Sequence, residues 1–130
     1  MASLEFVCGE MQKDKEVELL RKRGIDIDIF ARDYGNTPRL TLHFVKESGL
    51  TERNIWAEIA SIAKTLEYVK TKYNLVYVDG GFDKSVYPLT RDDFIGLSRR
   101  FPLKFRPNKN LAGRHGAILK IDITYNFQVN

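Results

Sequence analysis

The sequence predicts an α+β fold, in which helices cover one face of a mostly antiparallel sheet. Three stretches carry this prediction. Residues 51–73 repeat apolar side chains at helical spacing, residues 25–46 alternate apolar and polar side chains around one turn, and residues 117–129 alternate over the longest span. Because each stretch is apolar on one side only, we expect those sides to be buried against one another.

The amino-terminal residues are assigned to a short strand followed by a helix. Residues 4–8 contain Phe6, Val7 and Cys8, and Gly9 is expected to end the strand. Residues 13–23 form the helix, with Val17, Leu19 and Leu20 as its apolar side chains. Gly24 follows as its stop, since glycine adopts the left-handed conformation that commonly ends a helix.

A strand hairpin is predicted next. Residues 25–30 place isoleucine at every second position, which indicates a half-buried strand. Residues 33–38 are dense in turn-forming types and are assigned to the hairpin loop. Residues 39–46 form the returning strand, with Leu40, Leu42 and Phe44 on its buried face.

The longest helix is predicted over residues 51–73, and the sheet is expected to pack on it. Its apolar stripe consists of Ile55, Ile59, Ile62, Leu66, Val69 and Tyr73. Thr51 is expected to cap the amino end through its hydroxyl group, and Glu58 is assigned to the solvent-facing side. Asn74 ends the helix because asparagine tolerates a left-handed conformation.

The remaining residues are assigned to shorter elements and one long strand. Residues 75–78 form a short strand, residues 79–81 a turn, and Val86 and Tyr87 extend a second short strand. Thr90 caps a helix over residues 91–100, a strand follows at 103–106, and residues 107–116 form a loop. Residues 117–129 form the last strand, whose odd-numbered side chains face the core.

The predicted order is β-α-β-β-α-β followed by an α-β-β extension, all within one domain of residues 1–130. The first six elements have the order of a ferredoxin-like fold. We also expect the final strand to be able to pair with a second copy if it lies at a sheet edge, which predicts a homodimer.

The composition excludes several classes of protein. No apolar run approaches the roughly 18–20 residues needed to span a bilayer, and the amino end lacks the features of a signal peptide. A cytoplasmic location without a membrane partner is therefore expected. The single cysteine, Cys8, excludes an internal disulfide framework and a cysteine-based zinc site, and its apolar neighbours indicate a buried thiol.

Charge is distributed unevenly along the chain. The formal net charge is +4. Residues 94–121 contain seven Lys or Arg and no Asp or Glu, so this basic segment carries +7 and the rest of the chain carries 4 − 7 = −3. Such asymmetry predicts binding to nucleic acid, because Arg and Lys neutralise phosphates. The candidate binding residues are Arg99, Arg100, Lys104, Arg106, Lys109, Arg114, His115 and Lys120. Nearby aromatic residues are candidates for base stacking, namely Phe101, Phe105, Tyr125 and Phe127.

Two other functions remain open at this point. A structural or protein-interaction module that forms homo-oligomers explains the fold without a ligand. A divalent-metal-dependent nuclease is the second alternative, because Asp26 and Asp28 lie on one strand face at a spacing that suits two metal ligands. No motif fixes a reaction or requires a cofactor. His43 is interpreted as a structural or surface residue of the sheet.

Overall fold

The computed structural model describes residues 3–34, 37–47, 54–84, 104–105 and 119–127. Three helices and five strands lie in these ranges. In chain order they are α1 (Leu4–Gln12), α2 (Lys15–Lys22), β1 (Asp26–Tyr34), β2 (Thr37–Lys46), α3 (Ile55–Lys72), β3 (Leu75–Lys84), β4 (Lys104–Phe105) and β5 (Leu119–Phe127).

The strands form one sheet in the order β1-β2-β5-β3-β4. All neighbouring pairs are antiparallel except β3 and β4, which are parallel. The α+β class is confirmed, but the ferredoxin-like order is not, because the chain opens with two helices instead of a strand and a helix. The final strand β5 lies between β2 and β3, so it is not at a sheet edge and the condition under which it was expected to pair with a second copy is not met.

The amino-terminal strand prediction is also wrong, because these residues form α1. Ser3 caps the helix, and its hydroxyl oxygen accepts a hydrogen bond from the Phe6 backbone N–H at 3.1 Å. The buried side chains are Leu4, Val7 and Met11, which follow one another at steps of three and four. Strand-forming residue types are outweighed here by a cap and by an apolar stripe that faces the core.

The second helix and the first strand follow the sequence closely. Asp14 caps α2, and Gly24 ends it with a positive φ of 80°, as predicted. Val17 and Leu20 are buried, whereas Leu19 is exposed and lies outside the core. Strand β1 then continues beyond the predicted residue 30 to Tyr34.

The hairpin between β1 and β2 is tighter than predicted. The two strands stay paired from Asp26 opposite Val45 to Tyr34 opposite Thr37. Residues 33, 34, 37 and 38 therefore belong to strands and not to the loop to which they were assigned. Leu40, Leu42 and Phe44 are buried on the face that packs against the helices, as the alternation predicts.

The long helix α3 supplies much of the helix-side core, as predicted. Ile59, Ile62, Leu66 and Val69 are buried, and Tyr73 packs against the core at the helix end. Asn74 has the expected positive φ of 53°. The predicted cap Thr51 lies outside the described residues. Glu58 was predicted to face solvent, and this prediction is wrong. Its side chain is buried and is paired with two cations from other elements.

Strand β3 runs through the residues that were predicted to form a turn. It covers Leu75–Lys84, and Gly80 and Gly81 pair regularly with β5 between two register irregularities, one between Tyr77 and Asp79 and one between Phe82 and Lys84. Strands β4 and β5 lie within the predicted strands, and Leu119, Ile121, Ile123 and Tyr125 of β5 are buried as expected. The predicted strand at residues 86–87, helix at 91–100 and loop at 107–116 lie outside the described residues.

Within the described ranges, no helix combines the length and apolar character that a membrane crossing requires.

Candidate nucleic-acid interface

Two of the predicted binding residues lie in the described sheet. Lys104 begins β4 at one sheet edge, opposite Gly81 of β3, and Lys120 lies on β5 between Val45 of β2 and Lys84 of β3. The other predicted residues lie outside the described part of the chain, namely Arg99, Arg100, Arg106, Lys109, Arg114 and His115.

The described strands fix where the basic segment leaves the sheet and where it returns. Phe105 ends β4 beside Phe82, and Ile121 of β5 lies beside the same residue on the other side. Since neighbouring strands are about 4.8 Å apart, the two strands that flank β3 are about 10 Å apart. Both ends of the connection formed by residues 106–118 are therefore held at the end of the sheet where β3 finishes.

One of the aromatic residues predicted to stack on bases, Tyr125, is not available for stacking, and a second, Phe127, is partly buried. Tyr125 is buried and meets Tyr77 edge to face, with ring centroids 6.4 Å apart. Burial, with a smaller contribution from Glu67, raises the pKa of the Tyr125 hydroxyl. Phe127 packs against the core. The predictions for Phe101 and for the Phe105 side chain fall outside the described parts of the chain.

The sheet face opposite the helices carries a row of polar side chains that sequence reasoning did not assemble. Asp28 of β1, His43 of β2 and Asp122 of β5 are direct cross-strand neighbours. The Nδ1 atom of His43 forms a hydrogen bond with Oδ1 of Asp122. Because these two residues are 79 positions apart in sequence, only the pairing of β2 with β5 reveals their contact.

A second cross-strand contact lies beside that row. The hydroxyl groups of Thr41 and Thr124 are 3.0 Å apart and share a hydrogen bond. With the His43–Asp122 pair, this contact joins β2 to β5 through side chains as well as backbone. Both contacts are half-exposed, so they lock the register of these strands more than they add to the free energy of unfolding.

The described residues do not assemble the metal centre of the predicted nuclease. Asp26 and Asp28 are both exposed on β1, opposite Val45 and His43. Within the residues that the structure describes, no three His, Cys, Asp or Glu side chains converge as metal ligands. The exposed carboxylates of Asp26 and Asp28 would repel a phosphate group that approaches β1 on this face.

A buried polar cluster at the junction of α1, α2 and α3 was also missed. The Asp14 carboxylate accepts hydrogen bonds from the Glu16 backbone N–H at 3.0 Å, from Lys72 Nζ at 2.7 Å and from the Tyr73 hydroxyl at 3.0 Å. The Lys72 ammonium lies 5.4 Å from the ring centroids of both Tyr68 and Tyr73. These contacts join the end of α3 to the start of α2.

The contacts of Asp14 shift the pKa values of the groups involved. Burial alone would raise the pKa of Asp14, but hydrogen bonds from Lys72, Glu16 and Tyr73 outweigh it and lower that pKa. Hydrogen bonds to Asp14 and Tyr68 raise the pKa of Lys72. Burial raises the pKa of Tyr73, and its hydrogen bond to Asp14 adds to the effect. With these shifts, Asp14 and Lys72 are both charged at neutral pH. We therefore interpret the cluster as structural.

A second buried carboxylate, Glu58, joins three elements. Arg23 Nη2 is 2.6 Å from its Oε1 atom, and Lys46 Nζ is 3.2 Å from its Oε2 atom. Lys46 also donates to the Arg23 carbonyl oxygen at 3.0 Å. Both cations pair with Glu58 and so connect α3 to the elements around it. Because the charge of Lys46 is paired in this way, Lys46 does not extend the basic surface around Lys120.

The predicted character of the lone cysteine is consistent with its surroundings. Cys8 is partly buried and packs against the core. Burial, and to a lesser degree the nearby Glu5 carboxylate, raises the pKa of the Cys8 thiol. A raised pKa keeps the thiol protonated near neutral pH and therefore weakly nucleophilic.

No family model, curated protein or solved structure matches this chain. Functional inference therefore depends on the charges and contacts of the chain itself.

Proposed function

We propose that this protein binds nucleic acid through the basic segment of residues 94–121. One observation supports the proposal above the others. The segment contains seven cations and no acid, and the strands on either side of its 106–118 connection flank the same end of β3. Because β4 and β5 hold the two ends of this connection on either side of β3, its cations would stay close enough together to contact a few neighbouring phosphates.

The chemistry of recognition would be electrostatic. Arg and Lys bind phosphate oxygens, and Asn108 and Asn110 add uncharged donors in the same connection. Each neutralised phosphate releases counterions, so affinity falls with salt. If all seven cations engage duplex DNA, the logarithm of the association constant falls with the logarithm of salt concentration at a slope of about −6.

The contact surface would be the end of the sheet near Lys120 and not the open sheet face. That face carries exposed carboxylates at Asp26 and Asp28, and its histidine is already paired with Asp122. Lys120 lies in the same cross-strand row as Asp26, two strands away from it on β5, at the end where the basic connection begins and returns. Phosphates are therefore attracted to the β5 and β3 part of that end and repelled from its β1 part.

A binding titration tests the proposal directly. The full chain is titrated against a fluorescent duplex and a fluorescent single strand at about 50 mM and 200 mM salt. We expect binding at the lower salt and a loss of at least about 100-fold in affinity at the higher salt. A wild-type chain that binds neither probe at low salt would overturn the proposal.

A pair of charge-matched variants shows whether the basic segment is responsible. The first variant replaces Arg106, Lys109 and Arg114 with glutamine, and the second does the same to Lys22, Lys64 and Lys70, which are exposed on the helices. Because both lose three charges, a general electrostatic effect weakens binding equally. The proposal requires the first variant to lose at least tenfold more affinity at low salt than the second.

The two alternative functions are a metal-dependent nuclease and a self-associating module. The nuclease remains a prediction that no described cluster of metal ligands supports. Self-association is compatible with nucleic-acid binding and is included in the proposal, although the interface is not the last strand, which is internal to the sheet.

A further inference from the structure

The carboxylate of Asp14 has more partners than a helix cap requires. Its Oδ1 atom accepts the hydrogen bond from the Glu16 backbone N–H, which is the contact that caps α2. Its Oδ2 atom instead accepts hydrogen bonds from Lys72 Nζ at 2.7 Å and from the Tyr73 hydroxyl at 3.0 Å, and the Tyr68 hydroxyl lies 3.4 Å from it. The two oxygens of one side chain therefore serve two separate groups of partners.

The partners of Oδ2 have the composition of an ammonium-binding site. The Lys72 ammonium donates to Asp14 Oδ2 and, at 3.1 Å, to the Tyr68 hydroxyl oxygen. The ring centroids of Tyr68 and Tyr73 both lie 5.4 Å from its nitrogen, within the distance at which aromatic rings attract cations. The Asp14 side chain is only 2% exposed, whereas that of Lys72 is 49% exposed. The anionic side of this site is therefore buried, and its cationic side is half open to water.

We infer that Asp14 Oδ2 and the side chains of Tyr68 and Tyr73 form a binding site for a primary alkylammonium ion, which the chain's own Lys72 occupies. A primary ammonium fits because its N–H groups donate to the oxygen acceptors, whereas a quaternary ammonium has no N–H to donate. The hydrogen bond between Tyr73 and Asp14 does not involve Lys72, so we expect the site to persist when the Lys72 side chain leaves it. The inference does not depend on nucleic-acid binding.

A ligand titration of Lys72→Ala tests the inference. This variant opens the site, and butylammonium chloride, which reproduces the lysine stem and head group, should bind it and raise the thermal midpoint of unfolding. The apparent dissociation constant should be at least about tenfold lower than for the wild type, in which Lys72 competes. Tetramethylammonium chloride should raise the midpoint no more than sodium chloride does. An equal response of the two proteins to butylammonium, or an equal response of Lys72→Ala to both ammonium ions, overturns the inference.

Two further variants show which atoms bind the probe. Lys70→Ala removes an exposed cation from the same helix and should respond to butylammonium as the wild type does. Adding Asp14→Asn to Lys72→Ala keeps an oxygen that caps α2 but removes the carboxylate charge, so it should abolish the response. A response of Lys70→Ala as large as that of Lys72→Ala, or a response that survives Asp14→Asn, contradicts the site.

A primary ammonium can come from a free amine or from a lysine side chain of another protein. Butylammonium and N-acetyl-lysine methylamide carry the same charge and the same head group, and only the second has peptide groups. Both are titrated into Lys72→Ala. Tighter binding of the first upholds the site as one for free amines, and tighter binding of the second upholds it as one for a lysine side chain. Binding of neither overturns the inference.

Amine labelling of the wild type gives a readout that does not depend on the folding of a variant. Reductive methylation modifies neutral amines, and the hydrogen bonds to Asp14 and Tyr68 hold Lys72 in its protonated form. Mass spectrometry should therefore find Lys72 modified at least about tenfold more slowly than Lys70, although both are exposed on α3. Equal rates of modification would show that Lys72 does not occupy the site in solution.

Discussion

Carboxylates on the two sides of the sheet are buried to different degrees. On the helix-covered face, which includes the helices themselves, the side chains of Asp14 and Glu58 are only 2% and 5% exposed, and each accepts hydrogen bonds or ion pairs from several donors. On the open face, the His43 and Asp122 side chains are 26% and 39% exposed, and they form one pair with each other.

This difference in burial indicates which polar residues contribute most to the stability of the fold. Removing a carboxylate from water costs free energy that its partners must offset, so the loss of one partner strongly destabilises the fold. A carboxylate that remains half in water loses little when its partner is removed. We therefore expect the helix-covered face to dominate stability, and the open face to influence strand register. Variants on the two faces should therefore differ in stability, with the largest losses beneath the helices and the smallest on the open face.

The largest effect is expected at Glu58. Glu58→Ala leaves Lys46, whose side chain is only 12% exposed, without its carboxylate, and it separates Arg23 from α3. Breaking a buried pair in this way should lower the free energy of unfolding by about 3 kcal/mol. Urea denaturation followed by circular dichroism measures the change.

The double variant Glu58→Leu with Lys46→Met is the control for that experiment. It removes both buried charges and fills their volume, so it should recover at least half of the lost stability. If the double variant is as unstable as Glu58→Ala, the loss comes from packing and not from an unpaired charge.

Asp14→Ala is expected to have the next largest effect. It removes the α2 cap, which is the hydrogen bond from the Glu16 backbone N–H, and the hydrogen bonds from Lys72 and Tyr73, but the Lys72 side chain is 49% exposed and can return to water. The expected loss of stability is therefore smaller, about 2 kcal/mol. Asp14→Asn should lose about half as much, because asparagine still caps a helix. A greater loss in Asp14→Asn than in Asp14→Ala would contradict the cap.

The sequence was sufficient where the decisive contacts are local. The stripe of α3, the alternation of β2 and β5, and the stop at Gly24 all depend on residues within a few positions of one another. The signal for α1 was also present, since Leu4, Val7 and Met11 have helical spacing and Ser3 precedes them. It was missed because the strand-forming types at positions 6–8 were weighed alone.

The sequence was insufficient where distant elements decide. Glu58 lies beside the apolar stripe of α3, and it is buried only because Arg23 and Lys46 arrive from α2 and β2 to pair with it. Gly80 and Gly81 resemble a turn until β5 pairs with them. For the candidate site, the sequence alone showed the charge of the basic segment. Only the sheet order shows that β4 and β5, the strands on either side of its 106–118 connection, both neighbour β3.

Acid should weaken the helix-covered face through Asp14. The folded pKa of Asp14 is lowered, so its contribution to stability is fully present above its unfolded pKa of about 4 and is lost as pH falls through the folded value. Asp14→Asn has no such group. The stability difference between wild type and Asp14→Asn should therefore shrink between pH 6 and pH 3, as measured by urea denaturation. A difference that stays constant with pH would show that Asp14 acts by shape alone.

The smallest effect is expected on the open face. Asp122→Ala removes the partner of His43, but both side chains are partly hydrated, so the free energy of unfolding should fall by no more than about 1 kcal/mol. Thr124→Val, which removes the hydroxyl contact with Thr41 in the neighbouring row, should cost a similar amount. The same denaturation experiment ranks these variants against Glu58→Ala. A loss near 3 kcal/mol at Asp122 would remove the contrast between the faces, and would mean that the His43–Asp122 pair is as strongly shielded from water as the pairs beneath the helices.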